Sequence, residues 1–280
     1  MPAVLRLPRP IGQTRRMAPR TRRPRTYDAV KIRAAVTAQF GHLADAVRAL
    51  TPEQLARPTG LGEWTVADLA AHTAWIADSL AAGLARPPAA VPELTAVEWP
   101  SATASLAGKI AEAAKETLGG APLAELYDRA GARMAEQLAA NPVGSRVLHL
   151  WVGDMTLADF LVTRAVELTV HTDDLNRAAG LDIPIDRQAL AATTRLLADA
   201  LALAAPGGAV EVRIPPFAVV QCIEGPRHTR GTPPGVVETD PLTWIRLATG
   251  RTQWAAALAD ARVTASGERA DLAALLPVMS

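Results

Sequence analysis

Cysteine is almost missing from this chain: Cys222 stands alone in 280 residues. An internal disulfide is thereby excluded, and so is a thiolate zinc ribbon. Aromatic residues are also scarce, at 4%, while alanine supplies much of an apolar fraction of 49%. An alanine-rich, aromatic-poor chain reads as mostly helical. No apolar stretch reaches the ~20 residues needed to cross a bilayer before a charge interrupts it. A soluble protein with no membrane partner is therefore expected, and the missing export signal with the lone cysteine points to the cytoplasm.

Acid is absent from residues 1–26, which hold eight Arg and five Pro. The overall charge of +1 hides this asymmetry, because the rest of the chain keeps 21 basic against 28 acidic residues, a local −7. Such a segment buries no apolar surface and reads as a disordered basic tail. A basic arm suits nucleic acid or acidic lipid. An unstructured leader is the reading adopted, with Met17 available as an internal start, and no nucleic-acid partner is expected.

Apolar positions Val36, Phe40, Leu43, Val47 and Leu50 recur at four, three, four, three, which predicts an amphipathic helix over 28–50. Thr51-Pro52-Glu53-Gln54 is a helix-start pattern, and Thr65 with Asp68 is a second. The helix that Thr65 opens should bury Val66, Leu69, Thr73, Ile76 and Leu80, with Asp68, His72, Trp75 and Ser79 on the adjacent stripe. Residues 86–102, with four prolines, read as a loop. Helices are predicted over 103–118 and 122–140, then a short extended segment at 147–151. Thr156 and Asp159 open a helix that Gly180 closes near Ala179. Beyond it the pattern changes: a helix at 184–203, strands at 209–214, 217–224, 235–239 and 261–266, a helix after Asp240-Pro241, and a last short helix at 268–276. This predicts a tail over 1–26, a helical domain over 27–180 and a small α+β domain over 181–280.

Glu167 and His171 lie four residues apart in the strongly helical Arg164-Ala165-Val166-Glu167-Leu168-Thr169-Val170-His171-Thr172-Asp173-Asp174-Leu175. One helical turn places them on one face. If the helix carrying His72 packs against them, two imidazoles and a carboxylate converge, leaving a fourth position open as in a reactive zinc site. A solvated Glu–His pair and a lone core histidine remain the competing readings. His149, within Leu148-His149-Leu150-Trp151, reads as structural, and His42 and His228 lack ligand-like company. Asp173 suits either a solvated helix surface or support of a metal-bound histidine. Cys222, on a predicted strand, reads as a buried small hydrophobe.

The segment Gly62-Glu63-Trp64-Thr65-Val66-Ala67-Asp68-Leu69-Ala70-Ala71-His72 resembles the first signature of the mycothiol-dependent maleylpyruvate isomerase family, and the segment 164–175 is similar to the second. The resemblance covers about residues 28–180. It implies a DinB-like four-helix bundle in which His72, Glu167 and His171 bind zinc. Beside these, Arg164 and Asp174 are read as supporting residues around the ligands. Residues 237–251, with Ala265-Ser266-Gly267-Glu268-Arg269-Ala270, resemble the sterol-carrier-like domain fused to such bundles in actinobacteria. No residue here matches a thiol-recognising position of the true isomerases.

The resemblance implies a fold of bundle plus small α+β domain, zinc as cofactor, and mycothiol as co-substrate. Its partners would be a small thiol and a small electrophile. In the family the thiol adds to a conjugated double bond, the bond rotates and the thiol leaves; a transferase would stop at the adduct. The alternative is a lipid or hydrophobic-ligand carrier whose pocket uses Ile214–Val220 and the helix around Trp244, with a non-catalytic metal in the bundle. Related bundles occur as monomers or homodimers, and both states stay open.

Overall fold

The computed structural model describes residues 25–103, 121–225 and 234–279. Most of the predicted tail, most of the predicted helix over 103–118, and His228 lie outside the described residues.

Helix α1 (Ala29–Arg48) starts at Asp28, whose side chain accepts from the Val30 and Lys31 amides. That satisfies two of the amides a helix start leaves unpaired. The predicted stripe Val36, Phe40, Leu43 and Val47 is buried. Thr51 and Gln54 form a reciprocal capping box on α2 (Pro52–Leu55), and Thr65 and Asp68 form another on α3 (Val66–Ala85). All five predicted core positions of α3 are buried, and so is His72. The stretch read as a loop ends in a short helix, α4 (Trp99–Thr103), because Trp99 plugs the core at 1% exposure. Burial of so large a ring outweighs the weak local propensity of a proline-rich segment.

Helix α5 (Leu123–Ala140) follows, then a two-residue antiparallel pair, β1 (Val147–Leu148) with β2 (Met155–Thr156). This pair leads into α6 (Leu157–Ala179), capped by Thr156 and closed by Gly180 in the left-handed conformation at φ 70°. Helices α1, α3, α5 and α6 form a four-helix bundle: α3 lies against α5 and α6, and α1 against α6 and α5. Ala and Leu dominate the seams, which lets the helices approach closely around Leu43, Leu69, Ile76, Leu80 and Leu161.

Helix α7 (Arg187–Ala204) packs on α6 and α1 on one side and on the sheet through β4 on the other. The sheet runs in the order β4 (Ala218–Cys222), β3 (Val210–Ile214), β5 (Gly235–Thr239), β6 (Val263–Ser266). Only β3 and β5 are parallel. Alternate residues Val210, Val212 and Ile214, with Ala218, Val220 and Cys222, are buried on one face. Helix α8 (Pro241–Ala248), capped by Asp240, lies beside α7, where the buried Trp244 donates from its indole to Thr194 O at 3.3 Å.

Three expectations need correction here. A further helix, α9 (Trp254–Ala259), forms where none was read. The last helix shrinks to a 3-10 turn at Ala273–Leu275. Arg25, assigned to the tail, pairs with Asp199 on α7 at 2.7 Å. The architecture is nonetheless the helical bundle and α+β region that the sequence predicts. No helix among the described residues is long and apolar enough to cross a membrane.

Candidate metal centre

The Thr65–Asp68 capping box and the Thr156 cap fix where α3 and α6 begin, and so fix the faces their later residues present. On α6, Glu167 and His171 share one face; on α3, His72 lies at the edge of the core stripe. The bundle brings these together. One donor atom from each of His72, Glu167 and His171 lies within 4.8 Å of the others. The imidazoles meet edge to face, with ring centres 4.9 Å apart. His72 Nε2 stands 3.4 Å from Glu167 Oε2.

His72 is 2% exposed, with Trp64 and Trp75 at 5.2 and 5.6 Å between ring centres. Burial pushes its imidazole below the ordinary histidine value, although Glu167 pulls the other way. A neutral ring results, and its Nδ1 finds no hydrogen-bond partner among the described residues. Burial alone would raise the Glu167 carboxyl. Arg164, with His72 and His171, outweighs burial and holds it at about 2. A carboxylate beside two imidazoles is therefore ionised at neutral pH.

Arg164 is itself buried, at 5% exposure. Its guanidinium lies 4.5 Å over the Phe160 ring and 5.8 Å from that of Trp99, and Nε donates to Thr163 Oγ1 at 3.2 Å. It makes no ion pair within 4.0 Å among the described residues.

His171 Nδ1 donates to Asp174 Oδ2 at 3.0 Å. A carboxylate only accepts, so this bond sets the tautomer and leaves the Nε2 lone pair free. Asp174 is 1% exposed. Burial would raise its carboxyl, but His171 and Arg251 hold it well below the usual carboxylate range. It also accepts from Arg177 Nη2 at 2.5 Å and from Arg251 Nη2 at 3.0 Å. Asp173 departs from the solvated reading: it is 4% exposed and takes a two-point contact from Arg246, Nε to Oδ2 at 2.8 Å and Nη2 to Oδ1 at 2.6 Å. Arg246 and Arg251 belong to α8 and the turn after it, which covers this end of α6. Their part in the site was not legible in the sequence, where they sit in an ordinary amphipathic helix.

The other described histidines, His42 and His149, stay apart. His42 contacts the Pro184 carbonyl at 3.0 Å. His149, read as structural in its apolar run, is turned outward instead, at 68% side-chain exposure, and pairs with Asp154 at 2.8 Å. Its strand neighbour Leu148 takes the buried side, which forces His149 to the opposite one. Cys222 is buried, which pushes its thiol up to about 11. That is an inert thiol, not a nucleophile.

A cavity of about 190 Å³ adjoins Glu167, with Trp75, Trp99, Trp151, Phe160 and Arg164 among its walls. The donor chemistry fits a divalent cation: two imidazoles, an ionised carboxylate, one ring nitrogen held by a buried aspartate, and another with no hydrogen-bond partner among the described residues.

Comparison with known proteins gives the fold a family. The family model for the mycothiol maleylpyruvate isomerase N-terminal domain matches residues 36–176, half of the chain, and the chain belongs to that family. Residues 186–278 match the family model for the bacterial SCP ortholog. A solved mycothiol-dependent maleylpyruvate isomerase is 17% identical, covers 86% of this chain and 93% of its own, and superposes with a TM-score of 0.56. A mutant of such an isomerase gives 15% identity, the same coverage and a TM-score of 0.57. At this identity the likeness establishes a shared fold. No curated protein sequence matches significantly.

Proposed function

We propose that this chain is a zinc-dependent, cytoplasmic enzyme that uses a small thiol, mycothiol in the first instance, either to isomerise a small electrophile or to form a thioether adduct with it. The observation that carries this reading is the convergence of His72, Glu167 and His171 within 4.8 Å beside a cavity. Membership of the mycothiol maleylpyruvate isomerase family supports it.

His72 and His171 would supply nitrogen donors and Glu167 an oxygen donor. The cation, when bound, provides the charge that keeps an incoming thiol deprotonated near neutral pH. Around it the chain's residues have separate tasks. Asp174 holds the proton on His171 Nδ1, so the ring presents Nε2. Arg164 keeps Glu167 ionised. Trp64 and Trp75 close over His72 and keep water from its ring.

This reading takes residues 27–180 as the metal-binding bundle, preceded by a tail over 1–26, and residues 181–280 as the second domain. The carrier alternative is the less well supported: Ile214, Val220 and Trp244 are each 1% exposed or less and fill the core between sheet and helices, while residues 215–219 line a wide, shallow surface cavity of about 400 Å³. The second domain instead reaches the bundle through Arg246 and Arg251.

Elemental analysis of the full chain should find about one zinc per chain. His72→Ala and Glu167→Gln should each lose it while helical circular dichroism is kept, and thiol consumption against a panel of electrophiles should fall with it. Metal content unchanged in both variants would end this reading.

A further inference from the structure

Resting on the thiol-and-electrophile reading, we infer that the cavity beside Glu167 takes the electrophile as a flat, ring-bearing monocarboxylate, its ring among the tryptophans and its carboxylate on Arg164. Three independent observations point there.

The first is Arg164. A guanidinium keeps its charge in any protein environment, and Arg164 is buried with no carboxylate in direct contact among the described residues, although Glu167 feels its charge from beyond ion-pair distance. The Phe160 and Trp99 rings offset part of the cost of burying it through their π faces. They offer no hydrogen-bond acceptor. Only Nε is used within the protein, toward Thr163 Oγ1. The terminal nitrogens form no hydrogen bond with any described residue, and Arg164 lines the cavity. A ligand carboxylate matches that fork with two parallel bonds.

The second is the wall. Trp75, Trp99, Trp151 and Phe160 gather on a space of about 190 Å³ in a chain with only 4% aromatic residues. An apolar cavity of roughly 150 Å³ holds one benzene. There is room for a single ring with a short acidic arm. A sugar or nucleotide would leave its polar groups facing indole and phenyl.

The third is charge. The buried charged groups lining this space are Arg164 and Glu167. Glu167 belongs to the donor set, which leaves the Arg164 guanidinium as the one buried cation among the described residues that a ligand acid can meet here. One carboxylate balances it, whereas two overshoot. At the rim, Asp78 is already paired with Arg133, and exposed Arg86 offers little to a second acid group.

The test is titration of the full-length protein, zinc-loaded and chelator-treated, with trans-cinnamate, cinnamamide and maleate, read by tryptophan fluorescence and calorimetry. Cinnamate should bind both forms, at least about tenfold more tightly than cinnamamide or maleate. Arg164→Gln should reduce cinnamate to the level of cinnamamide and leave cinnamamide unchanged. Trp151→Leu, at an exposed position where folding is safe, should weaken cinnamate several-fold and leave maleate unmoved. Cinnamamide or maleate binding as tightly as cinnamate would overturn the inference, as would wild-type cinnamate affinity in both variants or no cinnamate binding to either form. A chain that binds cinnamate but never zinc would remove the metal reading and leave this one standing; a zinc-binding chain indifferent to cinnamate would do the reverse.

Discussion

Asp174 Oδ2 accepts both the His171 Nδ1 proton and Arg251 Nη2, each at 3.0 Å. A histidine of the bundle and an arginine of the second domain thus share one buried oxygen. This explains how a domain with no donor atom in the metal cluster bears on its geometry. Removing the arginine leaves Asp174 buried with one fewer partner, and the histidine it aims becomes freer to turn.

Asp174→Asn should weaken zinc binding by about 10–100-fold, the usual cost of losing the group that orients a ligating histidine. Arg251→Ala should act in the same direction with smaller effect. Competition against a chromophoric chelator measures both, with circular dichroism as the control for folding. Zinc affinity unmoved by Asp174→Asn would mean that this aspartate only ties the domains together.

Asp173 and Arg246 should behave as a coupled pair across the domain junction. Burial pulls Arg246 down, yet its hydrogen bonds to Asp173 dominate and raise it above the ordinary arginine value. A double-mutant cycle with Asp173→Asn and Arg246→Gln, followed by urea unfolding, should return a coupling of about 1–3 kcal/mol. Additive effects would show that the contact is incidental to stability.

Asp240 should add an acid-sensitive increment to the second domain. Burial would raise its carboxyl, but bonds from Thr243 and Leu242 win and lower it. A carboxyl lowered by folding stabilises the folded chain above its unfolded value, roughly 3.9, and that contribution is lost as pH falls through the lower folded value. Asparagine caps a helix about as well without titrating. In metal-free protein, wild type should therefore exceed Asp240→Asn by about 0.3–1 kcal/mol at pH 6, and the gap should close as acid protonates the folded carboxyl. A gap independent of pH would contradict the assignment.

Gly180→Ala should cost about 1–2 kcal/mol, the penalty of a side chain at a left-handed position. Space is not the obstacle, since an added Cβ would meet only Arg57 Nη1 at 3.8 Å. Thermal unfolding that matched wild type would show that the α6 terminus tolerates another conformation.

Much of the bundle was legible because its signals are local. Thr65 with Asp68 and Thr156 with Asp159 mark helix starts, and a repeat of three and four marks the buried side of α3. The unread elements have tertiary causes. Helix α4 exists because Trp99 is needed in the core, against the tendency of its proline-rich neighbourhood. Asp173 reads as surface on its own helix and becomes interior only when Arg246 lies over it. His149 turns outward because an apolar run in a strand has two sides, and neighbours alone do not say which one is buried.

For the candidate site, the sequence by itself determined that Glu167 and His171 share a face and that Asp174 lies within reach of the same histidine, since residues three and four apart on a helix are neighbours whatever surrounds them. It also determined that His72 borders a core stripe. Only the tertiary structure decided that His72 meets the other two, that Arg164 is buried without an acid partner beside a tryptophan-walled cavity, and that arginines from the second domain steady Asp173 and Asp174. Periodicity sets which way a side chain points from its own helix; which group it then meets depends on how separate helices pack, and no local repeat encodes that.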